Sequence, residues 1–390
     1  MLAYAHYYNF KLTSNFTYFL DNPIVGDEFR QTDRRTVTGG RVDKKLTVHP
    51  FGMETNLLVG GEGRYDIIPR VALYRTTAGV IRQTVRSDAV NEGSGAAFGE
   101  ATLHPTDRLR FTFGLRGDYY NFDVNSTNAA NSGKSDATIV SSKAGAAWRP
   151  VDWGEVYLNY GEGFHSNDGR GTAIKIDPVS GDKAQPVDAL VKARGSEVGA
   201  RVRPVHGVTL TAAAWQLDLG SELLFLGDGG TTAPQGPSHR KGLEFALFAQ
   251  PIKGIAIDAQ YTTSDGRLTD LPAGANHIPG AIEEVITAGI VGEYGPLTAS
   301  LRLRRFGSVA LIEDNSARSR PTTVINSRVA YRVCRYELAA EVLNILDSKD
   351  AEINYFYASR LPGEPAGGVD DIHLKTIEPR ELRVTGTVRF

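Results

Sequence analysis

A proline-marked tight turn returns along the chain at HPFG (from His49), HPTD (His104), RPVDWG (Arg149), RPVHG (Arg203), QPIKG (Gln250) and YGPL (Tyr294), its prolines at 50, 105, 150, 204, 251 and 296. Each turn is flanked by strict alternation of apolar and polar residues, the pattern of a strand with two unlike faces. In RLRFTFGLRGD, Leu109, Phe111, Phe113 and Leu115 alternate with Arg108, Arg110, Thr112, Gly114, Arg116 and Asp118. LTASLRLRR sets Leu297, Ala299, Leu301 and Leu303 against Thr298, Ser300, Arg302 and Arg304. From Leu210 to Leu217 the alternation changes phase, which predicts a β-bulge.

Between turns the chain runs out, crosses a long polar excursion and returns. The excursions are NSTNAANSGKSD (125–136), NDGRGTAIKIDPVSGDKAQP (167–186), GDGGTTAPQGPS (227–238) and SRLPGEPAGGVDD (359–371). Short turns at one end and long loops at the other describe an up-and-down antiparallel sheet. About sixteen strands are predicted, near 2–20, 28–47, 54–68, 94–104, 108–122, 139–149, 155–165, 195–204, 208–225, 240–251, 255–264, 283–294, 297–307, 322–333, 336–347 and 379–390.

Strand length separates two all-β readings. A soluble propeller blade would need four short strands in each period of about fifty residues, whereas each period here holds two strands of roughly ten residues or more. Ten residues tilted by about 45° climb roughly 23 Å, close to the ~25 Å apolar band of a membrane barrel. Arginine at alternate positions suits a wet lumen, while Leu, Val and Phe suit lipid. Tyr119, Tyr120, Trp148, Trp153, Tyr355, Phe356 and Tyr357 sit near strand ends, as interfacial girdles do. The fold expected is therefore all-β, a transmembrane antiparallel up-and-down β-barrel.

Other classes are excluded or disfavoured. No apolar run approaches the ~18–20 residues of a membrane helix. The net charge of −2, with mixed signs, indicates no nucleic-acid partner. Cys334 is the sole cysteine, in an RVCRY turn, which excludes disulfides and multi-cysteine metal sites. No Gly-x-Ser-x-Gly elbow, HExxH or phosphate loop is present, and Glu283–Glu284 is more simply a solvated strand start than an acid/base pair. No enzyme activity, cofactor or bound metal is expected.

Four stretches resemble the barrel half of TonB-dependent outer-membrane receptors. YGEGFHSNDGRG (160–171) resembles that family's Tyr-x-x-Gly-Phe strand end, SHRKGLE (238–244) its Arg-x-x-Gly-x-Glu strand start, and EVLNILDSKD (341–350) its Asn-Leu-x-Asp segment. The last strand, with Val384 and Val388 at alternate positions before terminal Phe390, resembles the signal read by the barrel-assembly machinery. The resemblance implies a 22-stranded barrel in the outer membrane, enclosing a plug worked by the TonB complex. It implies import of a scarce nutrient, chiefly a ferric siderophore. The Phe-Arg-Ala-Pro and Asn-Pro-x-Leu stretches of haem receptors are absent.

The expected domain is 1–390, a partial C-terminal barrel without plug, and MLAYAHYYNF lacks the features of a signal peptide. Such a chain is expected to bind ligand without accumulating it unless a plug is supplied. A passive porin-like channel is the alternative. The candidate ligand-binding residues are His165, Asn167, Asp168 and Arg170, at a strand end and loop, with Tyr355 and Tyr357 as stacking partners for an aromatic chelate. Local turn bonding accounts for the first four more plainly, and an interface girdle for the tyrosines. The arginine ladder (Arg108, Arg110, Arg116, Arg302, Arg304) is expected to pair with neighbouring carboxylates.

Overall fold

In the computed structural model, which describes residues 1–226 and 231–390, alternation becomes strand almost everywhere it was predicted. The elements are β1 (Leu2–Ser14), β2 (Phe29–Val48), β3 (Glu54–Thr77), β4 (Val80–Thr106), β5 (Leu109–Ser126), β6 (Gly133–Val151), β7 (Gly154–Ser166), the helical turn α1 (Gly169–Thr172), β8 (Leu190–Val202), β9 (Val208–Leu219), β10 (Glu222–Leu226), β11 (Thr231–Gln235), β12 (Ser238–Ile252), β13 (Ile255–Leu268), β14 (Glu284–Tyr294), β15 (Leu297–Phe306), β16 (Thr322–Val333), β17 (Tyr336–Leu343), β18 (Ala351–Ser359), β19 (Val369–Thr376) and β20 (Glu381–Val388). Among the described residues, sixteen strands form one sheet in chain order, interrupted only where β10–β11 and β18–β19 leave it as separate hairpins. All its pairings are antiparallel, and β1 bonds only β2 while β20 bonds only β17, so the sheet is open along that seam.

The proline-marked turns all lie at one end, and those from HPTD onward are tied to one another. Arg149 N–H donates to Arg108 O (2.8 Å), Arg203 N–H to Trp153 O (2.6 Å), Gln250 N–H to Gly207 O (2.7 Å) and Glu293 N–H to Gly254 O (2.7 Å). This continues the ladder around the rim, where unpaired backbone groups would be costly. Gly207 adopts φ +77°, and a Cβ there would stand 2.7 Å from the Gln250 carbonyl oxygen, so RPVHG needs its glycine on two counts.

The two faces follow the alternation. Leu301 stands opposite Ile290 and Ser327 and is 44% exposed on the apolar face. Arg302, one residue on, reaches across Gly289 to place Nη1 2.7 Å from both carboxylate oxygens of Asp258 on β13. Gly289 is required for that crossing, since a Cβ would meet Arg302 Nη1 at 2.3 Å. Gly242, the glycine of SHRKGLE, similarly admits the Trp215 ring and the Thr263 carbonyl. Trp148 and Trp153 are exposed near the short turns and Tyr119 near the opposite end, as two girdles require.

Several expectations are corrected. The β8–β9 and β9–β12 registers run without a shift from Leu210 to Leu219, so no bulge interrupts β9. The phase change arises because the outward position is kept by small Ala212 and Ala214 while Trp215 and Leu217 occupy the inner face. The strand expected over 208–225 ends at Leu219, and β10 departs from the sheet. β3 and β4 run far past 68 and 94, meeting at a two-residue turn, Ala78–Gly79, in which both residues have positive φ. The stretch around 359–371 joins β18 and β19, which puts Tyr355, Phe356 and Tyr357 in a hairpin outside the main sheet rather than in a lipid-facing girdle. Of the excursion expected over 227–238, residues 227–230 lie outside the described residues.

The faces make a direct prediction. Leu301→Arg places a charge in the lipid-facing belt and should cost about 2–4 kcal/mol. Arg302→Leu loses an exposed ion pair and should cost under ~1 kcal/mol. Refolding titrations in lipid vesicles check the difference, and equal losses would overturn the assigned faces.

Candidate functional sites at the long-loop end

The long-loop end is built by packing rather than by ladder alone. Ile68, Val90 and Val124, on the extended parts of β3, β4 and β5, form a buried cluster with Val71 against it, and Ala173 packs onto it from the loop after β7. Asn131, 1% exposed, clamps that loop: its Oδ1 accepts from Lys175 N and Ile176 N (both 2.9 Å), and its Nδ2 donates to Ile176 O (2.8 Å). Asp168 caps α1, accepting from Arg170 N at 2.9 Å, and holds the Arg170 guanidinium at 2.5 Å. Burial opposes ionisation of Asp168, but the Arg170 guanidinium outweighs it and holds the carboxyl down at about 2.

Beneath α1 lies a cavity of about 310 Å³ whose lining includes Arg35, Arg64, Asp66, Glu92, Asn167 and Arg170. Its arginines are each matched by a carboxylate two residues away, on the same strand face or in the same loop. Arg35 meets Asp33 (2.5 Å), Arg64 meets Asp66 (2.7 Å), Arg170 meets Asp168, and behind them Arg86 meets Asp88. Glu92 is the exception, with no hydrogen bond or ion pair among the described residues. It stands opposite Phe122, two residues beyond the level of Tyr120 and so past the lipid-facing belt. Burial, then the nearby Asp168 carboxylate, push its carboxyl up to about 7, against the longer-range pull of Arg35. α1 rests directly on it, since a Cβ on Gly169 would meet Glu92 Oε1 at 3.1 Å and the Phe122 ring at 2.8 Å.

A second cavity, of about 500 Å³, lies between the ends of β14–β17 and the start of β18, with Arg304, Phe306, Arg320, Asn326 and Tyr355 in its lining. The Arg304 guanidinium lies 5.5 Å from the Phe306 ring centroid. Neither Arg304 nor Arg320 has a carboxylate within ion-pair distance among the described residues. Glu352, in the same wall, is taken up by Lys375 at 2.6 Å. Asn344, from NILD, fixes this corner: its N–H donates to Asn326 Oδ1 (2.9 Å), and its Nδ2 donates to Ser348 O (3.1 Å) and Glu378 O (3.0 Å).

The predicted site residues therefore divide. Asn167, Asp168 and Arg170 line the first cavity. His165 does not; it faces Val191 across the β7–β8 ladder, and its Nε2 is buried without a hydrogen bond. Tyr355 lines the second cavity, whereas Tyr357 stacks on His373 at 4.0 Å and meets Phe16 edge-on. Val384 and Val388 face outward on β20, and Phe390 is fully exposed beyond it. Arg116 and Arg302 of the ladder are paired as expected, and so is Arg108, which pairs from a turn with Asp152 at 3.4 Å. Sequence reading missed Glu92, Arg35, Arg64 and Arg320, although the Arg-x-Asp spacing of 64–66, 86–88 and 116–118 was visible.

Glu92 yields a pH-dependent expectation. Its carboxyl rises from 4.5 to about 7 on folding, so its share of stability is fully present below pH ~4.5 and is lost as pH climbs through 7. Glu92→Gln should thus match the native chain at pH 4 and exceed it by about 1–3 kcal/mol at pH 8. Refolding titrations at the two pH values check this, and a variant no more stable at pH 8 would contradict it.

Comparison with known proteins places this architecture. Residues 2–345 match the family described as TonB dependent receptor-like, beta-barrel. A search of curated proteins found no match. The copper transporter OprC superposes with TM-score 0.73 at 17% identity, over 100% of this chain and 62% of that one. The ferric-catecholate import receptor Fiu from E. coli K12 gives TM-score 0.72 at 16% identity, over 98% and 60% of the two chains. BauA, the ferric preacinetobactin receptor from Acinetobacter baumannii, gives 0.71 at 15%, over 98% and 59%. This chain thus spans 59–62% of the length of these structures.

Proposed function

Since the chain belongs to the TonB-dependent receptor β-barrel family, we propose that it forms the ligand-gathering wall of an outer-membrane import receptor for an anionic metal chelate, most simply a ferric siderophore. In this reading the proline-marked turns are periplasmic and the long loops extracellular. The observation that carries it is the 500 Å³ cavity, where Arg304 and Arg320, beside Phe306 and Tyr355, have no carboxylate within ion-pair distance among the described residues. Two exposed guanidiniums outside any ion pair attract a polyanion, and the aromatic rings offer faces to a catechol or similar group. The cavity's size falls within the range of small-molecule sites.

The names of similar structures support a metal-bearing cargo, since one is a copper transporter and two are receptors for ferric compounds. The remaining partners follow from the same reading. Outer-membrane lipid covers the apolar face, the barrel-assembly machinery reads Val384, Val388 and Phe390, and the TonB complex acts through a plug enclosed by the barrel.

The test is titration of a ferric tris-catecholate into the chain folded in detergent, followed by fluorescence quenching. Replacing Arg304 and Arg320 together by Ala should weaken binding about 10- to 100-fold, the effect of losing two charged hydrogen-bond donors. Unchanged affinity in that variant would overturn the assignment.

A further inference from the structure

We infer that the 310 Å³ cavity beneath α1 receives a cationic amine group of the ligand, contacting Glu92 and Asn167. Two observations point the same way. Every arginine of the cavity is matched to its own carboxylate, so the wall's positive charge is already spent. What is left over is acceptor capacity. Glu92 has no donor among the described residues, and Asn167, 5% exposed, uses Nδ2 on the Asp188 carbonyl (2.6 Å) while its Oδ1 accepts no hydrogen bond of regular geometry, the His165 imidazole being its neighbour.

Buried or half-buried acceptors without donors, Asn167 and Glu92 respectively, are costly, and a ligand N–H group supplies what they lack. A carboxylate shut in beside Asp66 and Asp168 favours a positive group over a neutral one. A bound metal ion fits less well, because no grouping of three metal-ligating side chains occurs among the described residues. Asp66 and Asp168 are already held by guanidiniums. The site therefore suits an ammonium or guanidinium carried on a flexible arm.

The loop carrying Asn167 and α1 is part of the site. Asn131 fixes it at 175–176, and Ser135 and Thr172 hydroxyls meet at 2.6 Å, so the cavity roof is built by packing in the free protein. An amine entering here needs no reorganisation of β3–β5.

The inference rests on the reading of this end as the ligand-facing one, but it concerns different residues from the Arg304 cavity, and the two fail separately. The probe is 1,5-diaminopentane, with glutarate as a dianion of equal length, applied to the full chain folded in detergent. Calorimetry on the native chain should show the diamine binding at least ten-fold more tightly than glutarate. Diamine affinity should be at least ten-fold weaker in Glu92→Gln. Absence of diamine binding to the native chain, or equal binding of glutarate, would overturn the inference even if the variant fails to fold. If the native chain binds the diamine while the Arg304 and Arg320 variant binds chelate normally, the preceding section fails and this inference stands.

Discussion

Every strand of the main sheet depends on the pairing of its backbone. A surface that faces lipid has no water to satisfy a free N–H or carbonyl, so hydrogen bonding must be completed within the protein. The antiparallel order meets that demand strand by strand, and the turns from HPTD onward extend it by bonding the chain beside them. This explains why proline and glycine mark the turns. Proline sets the backbone where no ladder donor is needed, and Gly207 allows the carbonyl of Gln250 to come close. The seam between β1 and β20 is the place where the demand is unmet within the described residues.

With the backbone fixed, side chains are free to make two unlike surfaces. The outer one is ordinary: Leu, Val, Ile and aromatic residues at alternate positions. The inner one carries many charges, yet most are cancelled close at hand. Asp33–Arg35, Arg64–Asp66, Arg86–Asp88 and Arg116–Asp118 each pair positions i and i+2, which share a face in any strand. Such pairs do not rely on the register of the neighbouring strand. Cross-strand pairs such as Arg302–Asp258 do, and there glycine clears the path.

This division explains what could be read from the sequence. Strand identity and faces were legible because a period of two is a local signal, and all sixteen strands of the sheet were anticipated. What lay beyond the lipid-facing belt was not, because the alternation there no longer answers to lipid. β3 and β4 continue past it as a charged hairpin, and Tyr355 and Tyr357 fall on a hairpin that leaves the sheet. Of the candidate site residues, Asn167, Asp168 and Arg170 were found together because they are neighbours in a loop. Glu92 was missed because its role comes from β3, β5 and α1 closing around it, a juxtaposition fixed by register and loop packing.

The same logic gives meaning to unbalanced groups. In a wall where charge is cancelled two residues away, an isolated charge inside a cavity departs from the rule by which the surface is built. Glu92 raises the free energy of the empty protein by desolvation, whereas Arg304 and Arg320 are exposed to solvent and carry little such cost. In the proposed reading Glu92 keeps this cost because its position answers to a bound ligand rather than to folding. Both departures lie at the long-loop end and are of opposite sign. A ligand carrying a compact anion and a cationic arm would engage both, whereas a simple anion would engage only the arginines.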